Sequence, residues 1–238
     1  MRYAVFADIH GNLEALQVAL EYVRGQHLTH FLILGDSVGY GANPNECLEW
    51  ALTYTEFQVL GNHEAAVLHE DVRNGFTDWA RIAIDWTAGK LDPKHLDLLR
   101  KLPFLRKSRG FSLAHGTIHA PERFDYLFDL NAAHKSFLAM ETSVGFVGHS
   151  HVPCFFSEGG EDAGHLKPGV LRLTKGERYL LNPGSIGQPR DHDPRLSFGI
   201  YDEGELTFEI VRLPYDNKLA AQKIRAEGLP EFLAERLL

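Results

Sequence analysis

The sequence predicts an α/β fold, on three observations. Short runs rich in β-branched and aromatic residues alternate with segments whose apolar residues recur at helical spacing. Run after run ends in a small residue followed by a side chain able to bind metal. Near the C-terminus, Leu196 to Tyr201 and Leu206 to Val211 flank Asp202-Glu203-Gly204, an antiparallel hairpin pattern, so some strands are antiparallel.

The chain opens on Arg2 to Ala7, a β-prone run, and leaves it at Asp8-Ile9-His10-Gly11-Asn12. In extended chain, residues i and i+2 point the same way, so Asp8 and His10 present an oxygen and an imidazole nitrogen to one side. Alone, the pair also reads as an N-cap aspartate followed by a surface histidine, because Leu13, Leu16, Leu20 and Val23 then recur at helical spacing. Phe31 to Leu34 ends in Gly35-Asp36. Asn43-Pro44-Asn45 followed by Glu46 to Leu52 reads as a capped helix, and Phe57 to Leu60 ends in Gly61-Asn62-His63-Glu64. Strand, helix and strand in that order predict parallel, adjacent strands. Asp36 or Asn62 singly is a turn residue. Their convergence argues for more, because ligands of open α/β sheets bind beyond the carboxyl ends of the strands.

Residues 65–102 change character: Trp79, Ile82, Ala83 and Trp86 lie at helical spacing, and Asp92-Pro93 breaks the chain before a second helix through Leu99. A helical excursion between strands is expected, closed by Leu102-Pro103. The basic residues Arg100, Lys101, Arg106, Lys107 and Arg109 are interrupted by Leu102, Pro103 and Phe104 and predict a solvated face. Phe111 to Ala114 repeats the strand pattern into His115-Gly116. Val144 to Val147 repeats it into Gly148-His149-Ser150-His151, two imidazoles one residue apart. Ser157 to Pro168, rich in glycine and acidic residues, predicts an exposed loop. Tyr179 to Leu181 leads into Asn182-Pro183-Gly184-Ser185 and Gln188-Pro189-Arg190. From Asp216 the tail is helical, with Leu219, Ile224 and Leu229 among charged residues, packing on the body.

At 238 residues and 44% hydrophobic side chains, the chain can bury one sizeable core. A single domain over residues 1–238 is expected, carrying the excursion at about 65–102 and the tail from about 216. A net charge of −8 argues against gripping a nucleic-acid polymer through its phosphates, whereas small anionic substrates fit if cations are bound locally. Two distant cysteines, Cys47 and Cys154, no secretory pattern and no apolar span of membrane length predict a cytoplasmic protein without membrane contact. Nothing in the pattern sets an oligomeric state.

The ordered set Asp8-x-His10, Gly35-Asp36, Gly61-Asn62-His63-Glu64, His115-Gly116 and Gly148-His149-Ser150-His151 resembles the calcineurin-like metallophosphoesterase superfamily. The segments Gly35 to Gly41 and Asn182 to Asp191 are similar to its small prokaryotic phosphodiesterase-like branch. Protein Ser/Thr phosphatases match less well, since their second motif carries Asp and Arg where this chain has Gly39 and Tyr40. The resemblance implies a four-layer α/β/β/α sandwich of two mixed sheets, the metallo-dependent phosphatase fold. It also implies two divalent metal ions: the first held by Asp8, His10 and His151, the second by Asn62, His115 and His149, with Asp36 bridging. Mn²⁺ is expected, with Ni²⁺, Fe²⁺ or Zn²⁺ as alternatives, because imidazole matches Mg²⁺ poorly.

The implied activity is hydrolysis of phosphoesters, small phosphodiesters or nucleotides, by in-line attack of a metal-bridging hydroxide with His63 as general acid. Arg190 is a candidate for holding substrate, and is equally placed in sequence to pair with Asp191 or Asp193. Two other readings share these residues: a non-catalytic metal-binding scaffold or sensor, and a nuclease acting on polymeric nucleic acid. His119 and His192 lie near the site loops in sequence, while His27, His30, His69, His95, His134 and His165 read as surface or helix residues. Cys47 and Cys154 read as small core residues.

Overall fold

In the computed structural model, which describes residues 1–55, 57–159 and 163–238, the chain begins β1 (Arg2–Phe6), α1 (Leu13–Gly25), β2 (His30–Ile33), α2 (Pro44–Tyr54), β3 (Phe57–Gln58) and α3 (Asn62–Leu68). It continues through α4 (Asp78–Lys90), α5 (Pro93–Leu99), β4 (Leu105–Lys107), β5 (Phe111–Ala114), α6 (Leu130–Ala139) and β6 (Val144–Phe146). The last part comprises β7 (Cys154–Ser157), β8 (Ala163–His165), β9 (Gly169–Arg172), β10 (Tyr179–Asn182), β11 (Leu196–Asp202), β12 (Thr207–Leu213), α7 (Asn217–Ala226) and α8 (Glu231–Glu235).

Two mixed sheets result. In the first, ordered β3-β2-β1-β11-β12-β9, the strands β1, β2 and β3 are parallel neighbours, as the strand–helix–strand pattern predicts. The hairpin β11–β12 is antiparallel and closes on the free edge of β1. In the second, ordered β4-β5-β6-β10-β7-β8, the strands β5, β6 and β10 run parallel.

Alternation along the strands explains why the sheets stack. Val5 on β1 points into a core between the two sheets, shared with Leu32, Phe111, Phe146, Leu181 and Phe208. Its neighbours Ala4 and Phe6 point the other way, against Leu16, Ala19 and Val23 of α1. On β10, Tyr179 and Leu181 face the shared core while Leu180 packs with Phe137 of α6. Helix, sheet, sheet and helix form the four layers.

The helix start after β1 belongs to Asn12, whose Oδ1 accepts from the Ala15 amide at 3.1 Å, which leaves Asp8 free of the capping role. The excursion is helical, but α4 turns a different face inward from the one its aromatic spacing suggests. Ala80, Ala83, Ile84 and Thr87 are buried, whereas Trp79 and Ile82 are 40% and 52% exposed. Small residues let the tail approach closely: Ala83 packs with Ala220, Ala221 and Ile224 of α7, Leu233 of α8 and Leu229 between them, with Tyr40 and Trp86 against the cluster. Leu219 on α7 is outside that contact.

The segment expected to be an exposed loop is part sheet: Cys154 to Ser157 and Ala163 to His165 pair as antiparallel strands, while residues 160–162 lie outside the described residues. The basic residues near 100–109 do lie on a solvated face, with Arg100 on Asp97 and Lys107 on Glu141. Cys47 is buried, and Cys154 is only partly so. Among the described residues no helix is long and apolar enough to cross a membrane.

Candidate metal centre

Five strand ends from both sheets, those of β1, β2, β3, β5 and β6, deliver the site residues. The i, i+2 pairs converge by a route that extended geometry does not describe. Asp8, His10, Asp36, His149 and His151 all have left-handed backbone, at φ 54, 50, 53, 67 and 59°. Each such residue costs on the order of 1–3 kcal/mol and persists only where its surroundings over-determine it. Here the amides of Asp8, His10 and Gly11 donate to the carbonyls of Gly35, Asp36 and Ser37, and the His149 amide donates to Asp8 Oδ2 at 3.1 Å. The three loops brace one another.

The side chains meet in three overlapping groups: Asp8 with His10 and His151, His10 with Asp36 and His63, and Asp36 with His115 and His149. His151 Nε2 lies 3.4 Å from Asp8 Oδ1 and 3.1 Å from His10 Nε2. His115 Nε2 lies 3.2 Å from Asp36 Oδ2, 3.0 Å from His149 Nδ1 and 2.9 Å from Asn62 Oδ1. All are buried except Asn62, which is half-buried.

Tautomers decide what such a cluster can hold. His10 Nδ1 donates to the Val38 carbonyl at 3.0 Å and His151 Nδ1 to the Gln188 carbonyl at 2.6 Å. Burial holds both rings far below the usual histidine range, so both are neutral and their Nε2 lone pairs confront each other. His115 likewise spends its Nδ1 proton on the Leu34 carbonyl, 2.7 Å away. Asp8 Oδ1 is buried without any donor. Acceptors of this density facing one volume suit a cation. In the metal-free protein a proton answers part of that need: although burial lowers His115, the Asp36 and Asp8 carboxylates outweigh it and push the ring up to about 9. The donor set of imidazole, carboxylate and amide oxygen, without thiolate, suits divalent metal ions, and fixed second nitrogens are the usual support of histidine ligands.

His63 sits beside this cluster, its Nε2 3.9 Å from Asp36 Oδ2 and its ring packed against His10, Tyr40 and Phe76. Burial pulls it down to about 4, and its Nδ1 has no hydrogen-bond partner. The turn at Gly39, φ 87°, is what admits the ring, since a Cβ there would collide with His63 Nδ1. An aspartate cannot occupy that position without displacing the histidine.

Arg190 does not pair with either aspartate that follows it. Asp191 is taken by Arg212 and Asp193 by Arg195. Arg190 instead hydrogen-bonds Gln188, lies with its guanidinium 6.0 Å from the Tyr40 ring, and keeps a buried Nε without partner. It opens, with Asn62 and His149, onto a cavity of about 460 Å³. The helical excursion, whose role the sequence left unread, supplies Phe76 and Trp79 to one wall of it.

Sequence reading missed Glu64. Its buried carboxylate accepts four backbone amides, those of Asp36, Ser37, Val38 and Gly61, and so ties the β2 and β3 ends together. The available signal was its place three residues after Gly61, at the start of α3. Asn182 also went unassigned; it donates to the Gly148 carbonyl and the Ser150 hydroxyl and so holds the His149–His151 loop. His119 and His192 join none of the metal-capable groups among the described residues.

Comparison with known proteins places this arrangement. The profile described as the calcineurin-like phosphoesterase superfamily domain matches residues 1–205. An uncharacterized protein of Methanocaldococcus jannaschii is 39% identical over 241 residues, covering 98% of this chain and 96% of its own length. Among solved structures, a metallophosphoesterase from Sphaerobacter thermophilus superposes with a TM-score of 0.90 at 34% identity, covering 100% of this chain and 98% of that one. A hypothetical protein from Pyrococcus horikoshii shares the fold, with a TM-score of 0.80 at 21% identity over 99% of this chain and 97% of its own.

Proposed function

This chain belongs to the calcineurin-like phosphoesterase superfamily, and from that premise we propose that it is a binuclear-metal hydrolase of small phosphodiesters or nucleotides. The observation that carries the reading is the acceptor-rich cluster, with its unpartnered Asp8 oxygen and opposed imidazole lone pairs. Asp8, His10 and His151 would hold one ion, Asn62, His115 and His149 the other, and Asp36 both. Bound there, two divalent cations supply Lewis acidity at the phosphoryl oxygens and a nucleophilic water at neutral pH.

The chain's own groups do the rest. His63 protonates the leaving oxygen; burial favours its neutral ring, and an incoming phosphate raises its proton affinity by placing negative charge against it. Arg190, free of Asp191 and Asp193, holds a phosphate oxygen of the substrate beside Tyr40. The cavity takes a small molecule, and the net charge of −8 disfavours a polymer that binds through its backbone. We read residues 1–238 as one catalytic unit acting in the cytoplasm.

Turnover of bis(p-nitrophenyl) phosphate by the purified protein tests the reading. Activity should need added metal, with Mn²⁺ or Ni²⁺ ahead of Mg²⁺, and should vanish in Asp36→Asn. Undiminished turnover in that variant, or best activity with Mg²⁺ alone, would overturn it.

A further inference from the structure

The cavity beside the metal centre contains more positive charge than one phosphate requires. Arg123, Arg190 and Arg236 all line it. Arg123 is already answered by Asp125 at 3.2 Å. Among the described residues neither Arg190 nor Arg236 has a carboxylate within ion-pair distance, and the Arg190 Nε is buried and unpartnered. Two like charges facing one cavity repel each other until an anion lies between them.

Arg236 lies beyond residue 205, where the family profile ends, and so belongs to the tail. It is nevertheless held in place. Leu233, Ala234 and Leu237 on either side are buried against α4 and α7, Asn217 Nδ2 donates to the Leu237 carbonyl at 2.8 Å, and the Arg236 guanidinium lies 4.5 Å from the Phe232 ring. An arginine anchored this close to a chain end presents its fork with little further ordering to lose. The remaining wall is aromatic. Trp79 and Phe124 line the cavity, beside Tyr126, which is stacked against both His149, centroids 3.9 Å apart, and Phe128, centroids 4.6 Å apart.

We propose that Arg236 and Arg190 bind a second phosphate of the substrate, so that the substrate is a nucleoside polyphosphate whose ring rests on the aromatic wall of the same cavity. This rests on the reading of the metal centre as the place of the scissile phosphate. The centre takes one phosphate, the arginine pair takes the next, and the Trp79 and Phe124 surfaces take the base and sugar. The tail is then a specificity element that the phosphoesterase domain alone lacks.

Calorimetric titration tests this without relying on turnover. The probes are adenosine monophosphate and an adenosine triphosphate analogue with a β,γ-methylene bridge, with free Mn²⁺ held constant by a metal buffer. The wild-type protein should bind the triphosphate analogue at least about tenfold more tightly than the monophosphate, the worth of one charge-assisted contact. In Arg236→Ala that ratio should collapse toward one, and Arg236→Lys should restore part of it; near-ultraviolet circular dichroism checks that both variants are folded. An unchanged ratio in Arg236→Ala, a wild-type ratio near one, or no binding of either nucleotide overturns the proposal. Inorganic tripolyphosphate binding as tightly as the analogue overturns the assignment of the aromatic wall. Bis(p-nitrophenyl) phosphate has a single phosphorus, so its turnover by the same wild-type preparation reports separately on the hydrolase reading.

Discussion

Glu64→Gln is the most searching substitution, because it changes one atom in a side chain that is not a proposed metal ligand. Glu64 Oε1 accepts the amides of Ser37 and Val38 at 2.6 and 3.3 Å, and Oε2 those of Asp36 and Gly61 at 2.8 and 3.0 Å. Glutamine must point its NH₂ at one of these pairs, leaving two buried donors unanswered. At about 1–3 kcal/mol for each, the loss is about 2–6 kcal/mol. For a chain of this size, 1 kcal/mol moves Tm by about 2–4 °C, so a drop of at least about 4 °C is expected by calorimetry. The Asp36 backbone, released from its clamp, should also place its carboxylate less well, lowering Mn²⁺ affinity by about 10–100-fold in a titration, the usual effect of losing a partner behind a ligand. A Tm within about 1 °C of the parent together with unchanged Mn²⁺ affinity would refute the argument.

Asp36→Asn should abolish hydrolysis while circular dichroism remains native. His149→Ala and His151→Ala should each leave about one metal ion per chain by elemental analysis, and from different positions; loss of both ions in either variant would show that the sites do not fill separately. His63→Gln should lower kcat on the order of a hundredfold with metal content unchanged, and a variant that loses metal instead would make His63 a ligand.

Metal and pH should also be linked in the sense the buried groups dictate. In the metal-free protein, burial pushes Asp8 up to about 8, and the carboxylates push His115 up to about 9. Both folded-state values lie above the unfolded ones, so both contributions are lost as pH rises through that range. Burial lowers His10, His149 and His151, which affects stability only below the ordinary histidine range. Between about pH 6.5 and 8.5 the Tm of the metal-free protein should therefore fall and the gain on adding metal should widen, since metal displaces those protons. A gain that narrows over this window contradicts the assignment.

The site-building residues were legible because each strand ends in a side chain with no packing role. Asp8, Asp36, Asn62, His115 and His149 follow runs whose apolar residues lie almost all in three buried clusters. Helix faces were less legible. Aromatic spacing in α4 points to Trp79, yet the contact with the tail needed the small Ala83, and volume at a helix–helix contact is set by the partner. The strand pair β7–β8 escaped notice because glycine and acidic residues give no alternation, while its hydrogen bonds come from a strand partner.

By itself the sequence determined the α/β layering and the order of the metal-capable side chains at the strand ends, both of which follow from local periodicity and side-chain type. Tertiary structure alone decided the rest: which face α4 buries, that Glu64 clamps the β2 and β3 ends, and that Arg212 draws Asp191 away and leaves Arg190 free. It also brought Arg236 to the cavity from beyond the matched domain. The physical reason is the same in each case. Periodicity records which residues avoid water, but a charge or a hydrogen bond is defined by its partner, and the deciding partners, such as Asp36 for Glu64 and Arg212 for Asp191, lie 20 or more residues away.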